Sequence, residues 1–276
     1  VGSSGGPGGS QADWMHVNAI DYNPNLDQIV FSSRSNCEIY IIDHSTTTSE
    51  AASHSGGNSG MGGDILYRYG NPITYNRGTS FDKIFYAQHG VNWINDEYPG
   101  AGNLVIFNNG KDRPGGNYSS VEMITPPMDT EGNYIISDES AFGPDNFSWS
   151  YDGDASFYSE LQGGAFRLLN GNTLITIARN SPNPRIIEVS MDGEIEWDYL
   201  YTEASGIMVA RAQKYGLDYF QSPINYDLND DGAVNILDVV ILANLILANE
   251  NGSLGDINQD GSINILDIVQ LVNHIL

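Results

Sequence analysis

The chain has 276 residues, 35 of them acidic and 11 basic, and its formal net charge at pH 7 is −24. So acidic a chain repels nucleic acid and anionic membranes, and we exclude both as partners. The hydrophobic fraction of 40% is sufficient for a folded core. No run approaches the roughly 20 apolar residues that span a bilayer. The single cysteine, Cys37, excludes an internal disulfide but not an extracellular location, because calcium can stabilise a domain there instead.

Composition divides the chain into three zones. Residues 1–12 are a Gly/Ser-rich loop, residues 13–221 a predicted β domain, and residues 222–276 a predicted calcium-binding module. The chain starts at Val1, inside the Gly/Ser stretch, and we interpret this start as a processing or truncation point.

Short apolar runs separated by Gly, Asn, Asp and Pro turns predict strands throughout the second zone, and no stretch there has a helical period. The predicted strands include residues 28–32, 38–42, 103–107, 173–177 and 185–189. Three segments also end in an aromatic-rich strand, at residues 63–69, 146–151 and 192–199. Their spacing of roughly 50–80 residues favours propeller blades with long loops over the alternative, a β-sandwich.

The third zone contains one loop pattern twice, each copy followed by an apolar helix. Side-chain oxygens at the first, third, fifth and twelfth positions, a backbone carbonyl at the seventh, and Gly at the sixth are typical of calcium EF-hand loops. We therefore predict two Ca²⁺ ions; plain Asp/Asn/Gly turns are the alternative. The predicted ligands are Asp227, Asn229, Asp231, Ala233, Asn235 and Asp238 in the first loop, and Asp256, Asn258, Asp260, Ser262, Asn264 and Asp267 in the second.

This loop–helix pair, over residues 226–276, resembles type I dockerin repeats, which dock a cohesin on a scaffold protein. The positions that help choose the partner are Ile236 and Leu237 in the first repeat and Ile265 and Leu266 in the second. Because the two repeats match, the resemblance implies docking in either of two orientations. Apolar pairs differ from the hydroxyl-bearing residues of the best-known dockerins, so self-association and a purely structural tail, with these pairs in its core, remain alternatives.

The second zone resembles the bacterial and archaeal arylsulfotransferase family over nearly all of residues 10–220. The motifs that carry the resemblance are residues 13–22, 27–34, 41–44, 86–89, 103–110 and 167–175. The resemblance implies a six-bladed β-propeller with its active site at the central channel. It also implies transfer of a sulfuryl group from an aryl sulfate to a phenol without the nucleotide donor PAPS.

Sulfuryl transfer spreads negative charge over three oxygens, so its site needs cationic or donor groups and, for a covalent route, a nucleophile. By resemblance, His89 is the histidine that is transiently sulfurylated, and His16 and Arg34 bind and polarise the sulfuryl group. We add Asn18 and Gln88 as candidate substrate-binding residues. Each of these residues also has a plainer interpretation, as a structural hydrogen-bond pair, a strand cap or a surface ion pair.

Two features depart from the family pattern. The chain contains about three blades and a predicted closing strand at residues 206–215, and no residue matches a further active-site histidine that the family takes from an upstream blade. We expect the remaining blades upstream of Val1. The predicted protein is secreted, at the cell surface or periplasmic. The alternative function is a non-catalytic extracellular propeller that serves as a binding, structural or filament-forming subunit.

Overall fold

The structure is a computed structural model that describes residues 5–6, 9–10, 13–136, 139–153, 157–179, 183–202, 207–216, 219, 226–248, 255–258 and 260–276. The chain divides into two compact units, Val1–Lys214 and Tyr215–Leu276. The predicted domain boundary between residues 221 and 222 lies outside the described residues. No helix in the described part of the chain is long and apolar enough to cross a membrane.

The first unit is built from three four-stranded antiparallel sheets, each with its strands in sequence order. A two-stranded ribbon of β1 (Gly5–Gly6) and β2 (Gly9–Ser10) precedes them. The first sheet contains β3 (Val17–Asn23), β4 (Gln28–Ser33), β5 (Glu38–Asp43) and β6 (Ile65–Tyr69). The second contains β7 (His89–Trp93), β8 (Leu104–Asn108), β9 (Ser120–Ile124) and β10 (Trp149–Tyr151). The third contains β11 (Gly164–Arg167), β12 (Thr173–Ile177), β13 (Arg185–Val189) and β14 (Ile195–Leu200).

These sheets pack in series through two hydrophobic clusters. The cluster between the first and second sheets includes Ile39, Tyr67, Phe85 and Ile106, all fully buried. The cluster between the second and third sheets is built in the same way. Because side chains alternate along a strand, the second sheet contributes apolar residues to both clusters. The prediction of a mainly β domain is therefore confirmed, with three meander sheets.

Each sheet ends in the aromatic pair that the sequence rhythm predicts. Tyr67 and Tyr69 stack with ring centroids 6.2 Å apart and are buried against the second sheet. Trp149 and Tyr151 stack in the same way against the second cluster. In the third sheet Trp197 and Tyr199 also stack, but they remain 47% and 40% exposed. The outer face of the third sheet thus lacks, among the described residues, the cover that the other two pairs receive.

Two predictions about this unit are wrong in detail. It contains a short helix, α1 (Thr48–Ala51), and a 3₁₀ turn at Pro72–Tyr75, although the sequence has no helical period there. A capping box between Thr47 and Glu50 stabilises α1 locally, which no periodicity search detects. The predicted closing strand at residues 206–215 forms no strand over its described residues, 207–215. Its backbone instead makes single hydrogen bonds, such as that from the Gly163 amide to the Ala210 carbonyl, 3.1 Å.

The second unit contains α2 (Ile236–Leu247) and α3 (Ile265–Ile275), which pack on each other. Their core is Leu242, Ile257 and Leu271, all essentially inaccessible. The ring of Tyr226 stacks on His274 at 3.8 Å and so joins the start of this unit to its end. The predicted order of a loop and then a helix, repeated twice, is confirmed.

Candidate functional site

A pocket of about 660 Å³ opens where the first strands of the three sheets approach one another. All three predicted catalytic residues line it, together with one of the two predicted substrate-binding residues: His16, Arg34, His89 and Asn18. The rest of the lining includes the segment before β11 and part of the segment after β14, namely Leu161, Gln162, Gly163, Met208, Ala210 and Arg211. Residues distant in sequence are thus brought to one cavity.

His89 is held in a single tautomer by its neighbours. Its Nδ1 lies 2.7 Å from the Oδ1 of Asn109 and 3.1 Å from the carbonyl oxygen of Ala87. Both partners are acceptors, so Nδ1 carries the hydrogen and donates it. The lone pair of His89 is therefore on Nε2, the nitrogen that a nucleophilic imidazole uses.

Asn109 is itself locked in orientation. Its Nδ2 donates to the carbonyl oxygens of Ser159, at 2.8 Å, and Gln162, at 2.7 Å. Since the amide nitrogen is committed to two acceptors, Oδ1 must face His89. Asn109 is fully buried, so water does not compete for these bonds.

Burial lowers the pKa of His89 to about 4, and the nearby positive charges of Arg34 and His16 act in the same direction. Hydrogen bonds from the imidazole to Asn109 and Ala87 oppose this shift but are outweighed. At neutral pH the ring is therefore uncharged and keeps its lone pair. A neutral imidazole beside a guanidinium can attack a centre whose oxygens the guanidinium holds.

The backbone of the first sheet brings His16 and Arg34 together. The Arg34 amide donates to the His16 carbonyl at 3.1 Å, and the Ser35 amide donates to the Met15 carbonyl at 3.2 Å. His16 has a φ of 48°, a left-handed conformation that costs a non-glycine residue about 1 kcal/mol. Its Nδ1 lies 2.5 Å from a carboxylate oxygen of Asp13, which leaves Nε2 as the free ring nitrogen.

Both strands that carry site residues are irregular at the site. The register of β3 against β4 shifts around Asn18, and that of β7 against β8 shifts around Gly90. Such bulges redirect side chains and are frequent beside active sites. Gly90 has a φ of 63°, and a Cβ there would lie 3.2 Å from the Cα of Gly164, so this close approach of β7 to β11 requires glycine.

Two polar atoms at the site are buried without a hydrogen-bond partner among the described residues. Asn18 donates through Nδ2 to the Gln88 carbonyl at 2.8 Å, but its Oδ1 accepts nothing. The Nε of Arg34 likewise has no acceptor. Unpaired buried polar atoms cost free energy, and at a binding site a ligand can satisfy them.

Gln88 does not line the pocket. Its side chain is fully buried, and Nε2 donates to Ser32, Ser33 and Glu38 in the first sheet at 2.9–3.1 Å. Neighbouring residues of an extended chain point to opposite faces, so Gln88 joins two sheets while His89 faces the cavity. This geometry favours a structural role for Gln88 over the predicted contact with substrate.

Sequence reasoning missed two residues of this site, Asn109 and Arg211. Asn109 lies within a motif that carries the family resemblance, yet its partners are about 50 residues further along the chain. Arg211 could have been found from the scarcity of cations, since any arginine in so acidic a chain is a candidate anion ligand.

The two loops of the second unit have matching geometry. In the first, Asp227 accepts hydrogen bonds from the amides of Asp231 and Gly232; in the second, Asp256 accepts from the amides of Asp260 and Gly261. Asp238 and Asp267 are fully buried and accept from amides at both ends of their own loop. Backbone hydrogen bonds, first that from Asn235, hold the pKa of Asp238 below its usual value.

Some predicted metal ligands also have a structural role. Asn235 and Asn264 are the N-caps of α2 and α3. Their amide nitrogens donate to the carbonyls of Ala233 and Ser262, the predicted backbone ligands. No group of three or more His, Cys, Asp or Glu side chains among the described residues is arranged to hold a metal ion. The donor set of carboxylate, amide and carbonyl oxygens nevertheless matches the chemistry that calcium prefers.

The apolar pairs at the start of α2 and α3 are on the surface. Ile236 and Leu237 are 64% and 54% exposed, and Ile265 and Leu266 are 63% and 57% exposed. The near-identical values reflect the repeat of the loop and helix. These pairs are therefore not part of the core of the second unit, and contiguous exposed apolar residues of this kind mark interaction surfaces.

Comparison with known families gives two matches that together cover most of the chain. The family model described as arylsulfotransferase (ASST) matches residues 2–197. The model of the dockerin type I domain matches residues 225–276. No curated protein matches the chain. Both resemblances predicted from the sequence are confirmed.

Proposed function

Because the chain belongs to the arylsulfotransferase family, we propose that its first unit transfers a sulfuryl group from an aryl sulfate to a phenol through a sulfo-histidine at His89. One observation carries the proposal: an uncharged His89, with its lone pair on Nε2, shares a pocket with Arg34 and His16. We expect no role for PAPS, since the donor sulfate is transferred directly.

In the first step, Nε2 of His89 attacks the sulfur atom of the donor. The N–S bond forms as the S–O bond to the aryl oxygen breaks, and the electron pair leaves on that oxygen. The guanidinium of Arg34 stabilises the negative charge on the sulfuryl oxygens, and its unpaired Nε finds an acceptor there. His16, as an imidazolium held by Asp13, donates the Nε2 proton to the departing aryl oxide.

In the second step, the acceptor phenol attacks the same sulfur. The new S–O bond forms, the N–S bond breaks, and its electron pair returns to Nε2 of His89. The phenol must lose its proton, which neutral His16 takes back. The unpaired Oδ1 of Asn18 is suited to accept a hydrogen bond from the phenol hydroxyl as the acceptor binds, before this single proton passes to His16.

Turnover of para-nitrophenyl sulfate with phenol as the acceptor tests this proposal. The protein should release nitrophenol and form phenyl sulfate, and His89→Ala should reduce the rate at least about a thousandfold. The matched control is His54→Ala, because the His54 side chain is 91% exposed. Mass spectrometry of the quenched protein should find one added SO₃ on His89. Full activity of His89→Ala, or no nitrophenol release at all, would refute the proposal.

We further propose that the three sheets are blades of a six-bladed propeller. The repeated aromatic pair supports this. The pairs at the ends of the first and second sheets pack against the next sheet, whereas the pair at the end of the third sheet is exposed. A further blade packed on Trp197 and Tyr199 would bury that face in the same way.

The second unit acts, in our proposal, as a calcium-dependent tether that docks a cohesin-type protein and places the chain outside the cell or at its surface. The match to the dockerin type I domain and the exposed apolar pairs support this. Since the two pairs match, Ile236→Asp alone should leave cohesin binding nearly intact. The double variant with Ile265→Asp should abolish it in a pull-down with a type I cohesin.

A further inference from the structure

Two arginines of the pocket have no close ion pair in the part of the chain that the structure describes. Neither Arg34 nor Arg211 has an ion pair within 4.0 Å among the described residues. The chain has only 11 basic residues against 35 acidic ones. Five other basic residues do form such pairs: Arg68, Lys111, Arg113, Arg185 and Lys214. Two guanidinium groups at one cavity, neither in a close ion pair within the described residues, provide more positive charge than a single sulfate requires.

The backbone fixes Arg211 at the wall of the pocket. On one side of it, the carbonyl of Ala210 accepts from the Gly163 amide at 3.1 Å. On the other, the Ala212 amide donates to the Thr176 hydroxyl at 2.9 Å. Anchors on both sides hold the Cα of Arg211, while its side chain stays exposed and lines the cavity.

Arg34 and Arg211 act on different parts of the pocket. Arg34 is among the charges that lower the pKa of His89, whereas Arg211 acts electrostatically on Asp21. Burial raises the pKa of Asp21 despite Arg211, and its carboxylate accepts from the Trp93 amide at 2.8 Å. Asp21 lies three residues beyond Asn18 on β3, roughly 10 Å along the strand. Arg34 is held against the first sheet through its amide bond to His16, whereas Arg211 is anchored at Gly163 and Thr176 on the side of the third sheet. The two side chains therefore reach the pocket from different walls.

Apolar side chains also line this cavity. Ile20 is 69% exposed and Met208 is 43% exposed, and Leu161 contributes to the same lining. An aromatic ring can pack on these side chains while its sulfate or hydroxyl meets His89. We infer that Arg211 binds a second anionic group on the aromatic substrate, so that the pocket prefers aryl sulfates and phenols that also carry a carboxylate or another sulfate. This inference rests on the proposed function.

The test compares para-hydroxybenzoate with its neutral methyl ester as acceptors, and para-carboxyphenyl sulfate with phenyl sulfate in equilibrium binding. The wild type should favour the member of each pair that carries the additional carboxylate about tenfold, the usual effect of one exposed charge-assisted hydrogen bond. Arg211→Gln should remove this preference, and Arg211→Lys should restore part of it. Arg77→Gln, a change outside the pocket, is the matched control.

The possible outcomes separate this inference from the proposed function. Discrimination in binding without any turnover would support the subsite and overturn the sulfuryl-transfer proposal. Turnover without a preference for anionic compounds, or a preference that survives Arg211→Gln, would overturn the subsite alone. Para-phenylene disulfate in the same binding assay shows whether a sulfate or a carboxylate is the better second group.

Discussion

The two units of this chain balance their buried acidic groups in different ways. In the first unit, the buried Glu38 pairs with Arg68 through both oxygens, and the buried Glu188 pairs with Lys214. In the second unit, the donors to the buried Asp238 and Asp267 among the described residues are backbone amides. The sequence explains the contrast, since no Lys or Arg follows Lys214.

The difference separates a unit that supplies its own cations from one that, in our proposal, takes them from solution. Three carboxylates close together repel one another, and backbone amides stabilise only one at a time. A bound divalent cation relieves this repulsion, and its binding free energy then becomes folding free energy. The first unit can balance buried carboxylates with its own cations, as Arg68 does for Glu38 and Lys214 does for Glu188.

Removal of calcium should therefore have the largest effect on folding, and it should affect the second unit but not the first. Excess EDTA should abolish the helical circular dichroism of α2 and α3, because the uncompensated carboxylates then oppose folding. The β signal and the sulfotransferase activity of the first unit should remain. Far-ultraviolet spectra and activity of the full chain, with and without added Ca²⁺, measure both effects.

Single substitutions locate the calcium effect. Asp238→Asn should weaken the response of the helices to calcium, since it removes a buried carboxylate from the first loop. Asp230→Asn removes the same charge from an exposed residue that is not a predicted ligand, and it should change little. Helices that persist in EDTA would show that the module does not depend on an external cation.

In the first unit, the corresponding test removes a neutral group that positions the nucleophile. Asn109→Ala should lower kcat on the order of a hundredfold with little change in KM, since a misplaced His89 fails at the chemical step. Loss of the Asn109 hydrogen bond should also lower the pKa of His89 further, which an NMR titration would detect. Asn103→Ala, which removes an amide that contacts Thr125 outside the pocket, is the control. Equal effects of both variants would contradict a positioning role for Asn109.

Local patterns in the sequence predicted most of the regular structure. The runs at residues 173–177 and 185–189 coincide with β12 and β13, because alternating or continuous apolar residues determine which segments become buried strands. Repeated loop residues likewise predicted α2 and α3. The strand β9 was not among the predicted strands. Its buried apolar residues Val121, Met123 and Ile124 are interrupted by Ser120 and Glu122, which are buried through specific partners.

The candidate site was only partly predictable for the same reason. His16, Arg34 and His89 were found from motifs, but the lock on His89 depends on two carbonyls about 50 residues from Asn109. Such long-range hydrogen bonds leave no local signal. Gln88 is the opposite case: it is adjacent to His89, so the alternation of side chains argues against a shared role.

Glu122 is a buried acidic group of the first unit that is not fully balanced by a neighbouring cation, so it tests the comparison between the two units. It is buried in β9, and burial raises its pKa to about 7 despite hydrogen bonds from Ser120 and Asn108 and the charge of Arg113, which is 4.0 Å away. The other carboxyl oxygen of Glu122, Oε2, has no hydrogen-bond partner among the described residues. The positive charge and hydrogen bonds around Glu122 are too weak to offset its burial, so the carboxyl group keeps its proton.

The sign of the pH effect follows from this shift. The folded state holds the Glu122 proton up to about pH 7, whereas the unfolded chain releases it near the ordinary glutamate pKa of 4.5, so stability falls as pH rises through this window. The loss is at most about 3 kcal/mol. Glu122→Gln should remove this slope, and at pH 8 it should be more stable than the wild type in urea unfolding.

Glu188→Gln is the matched comparison of opposite sign, because hydrogen bonds from Lys214, Asn170 and Asn172 outweigh the effect of burial and lower the pKa of Glu188 to about 2. That variant should lose stability at neutral pH. If both variants were destabilised at pH 8, Glu122 would be ionised and compensated like the other buried acids of the first unit.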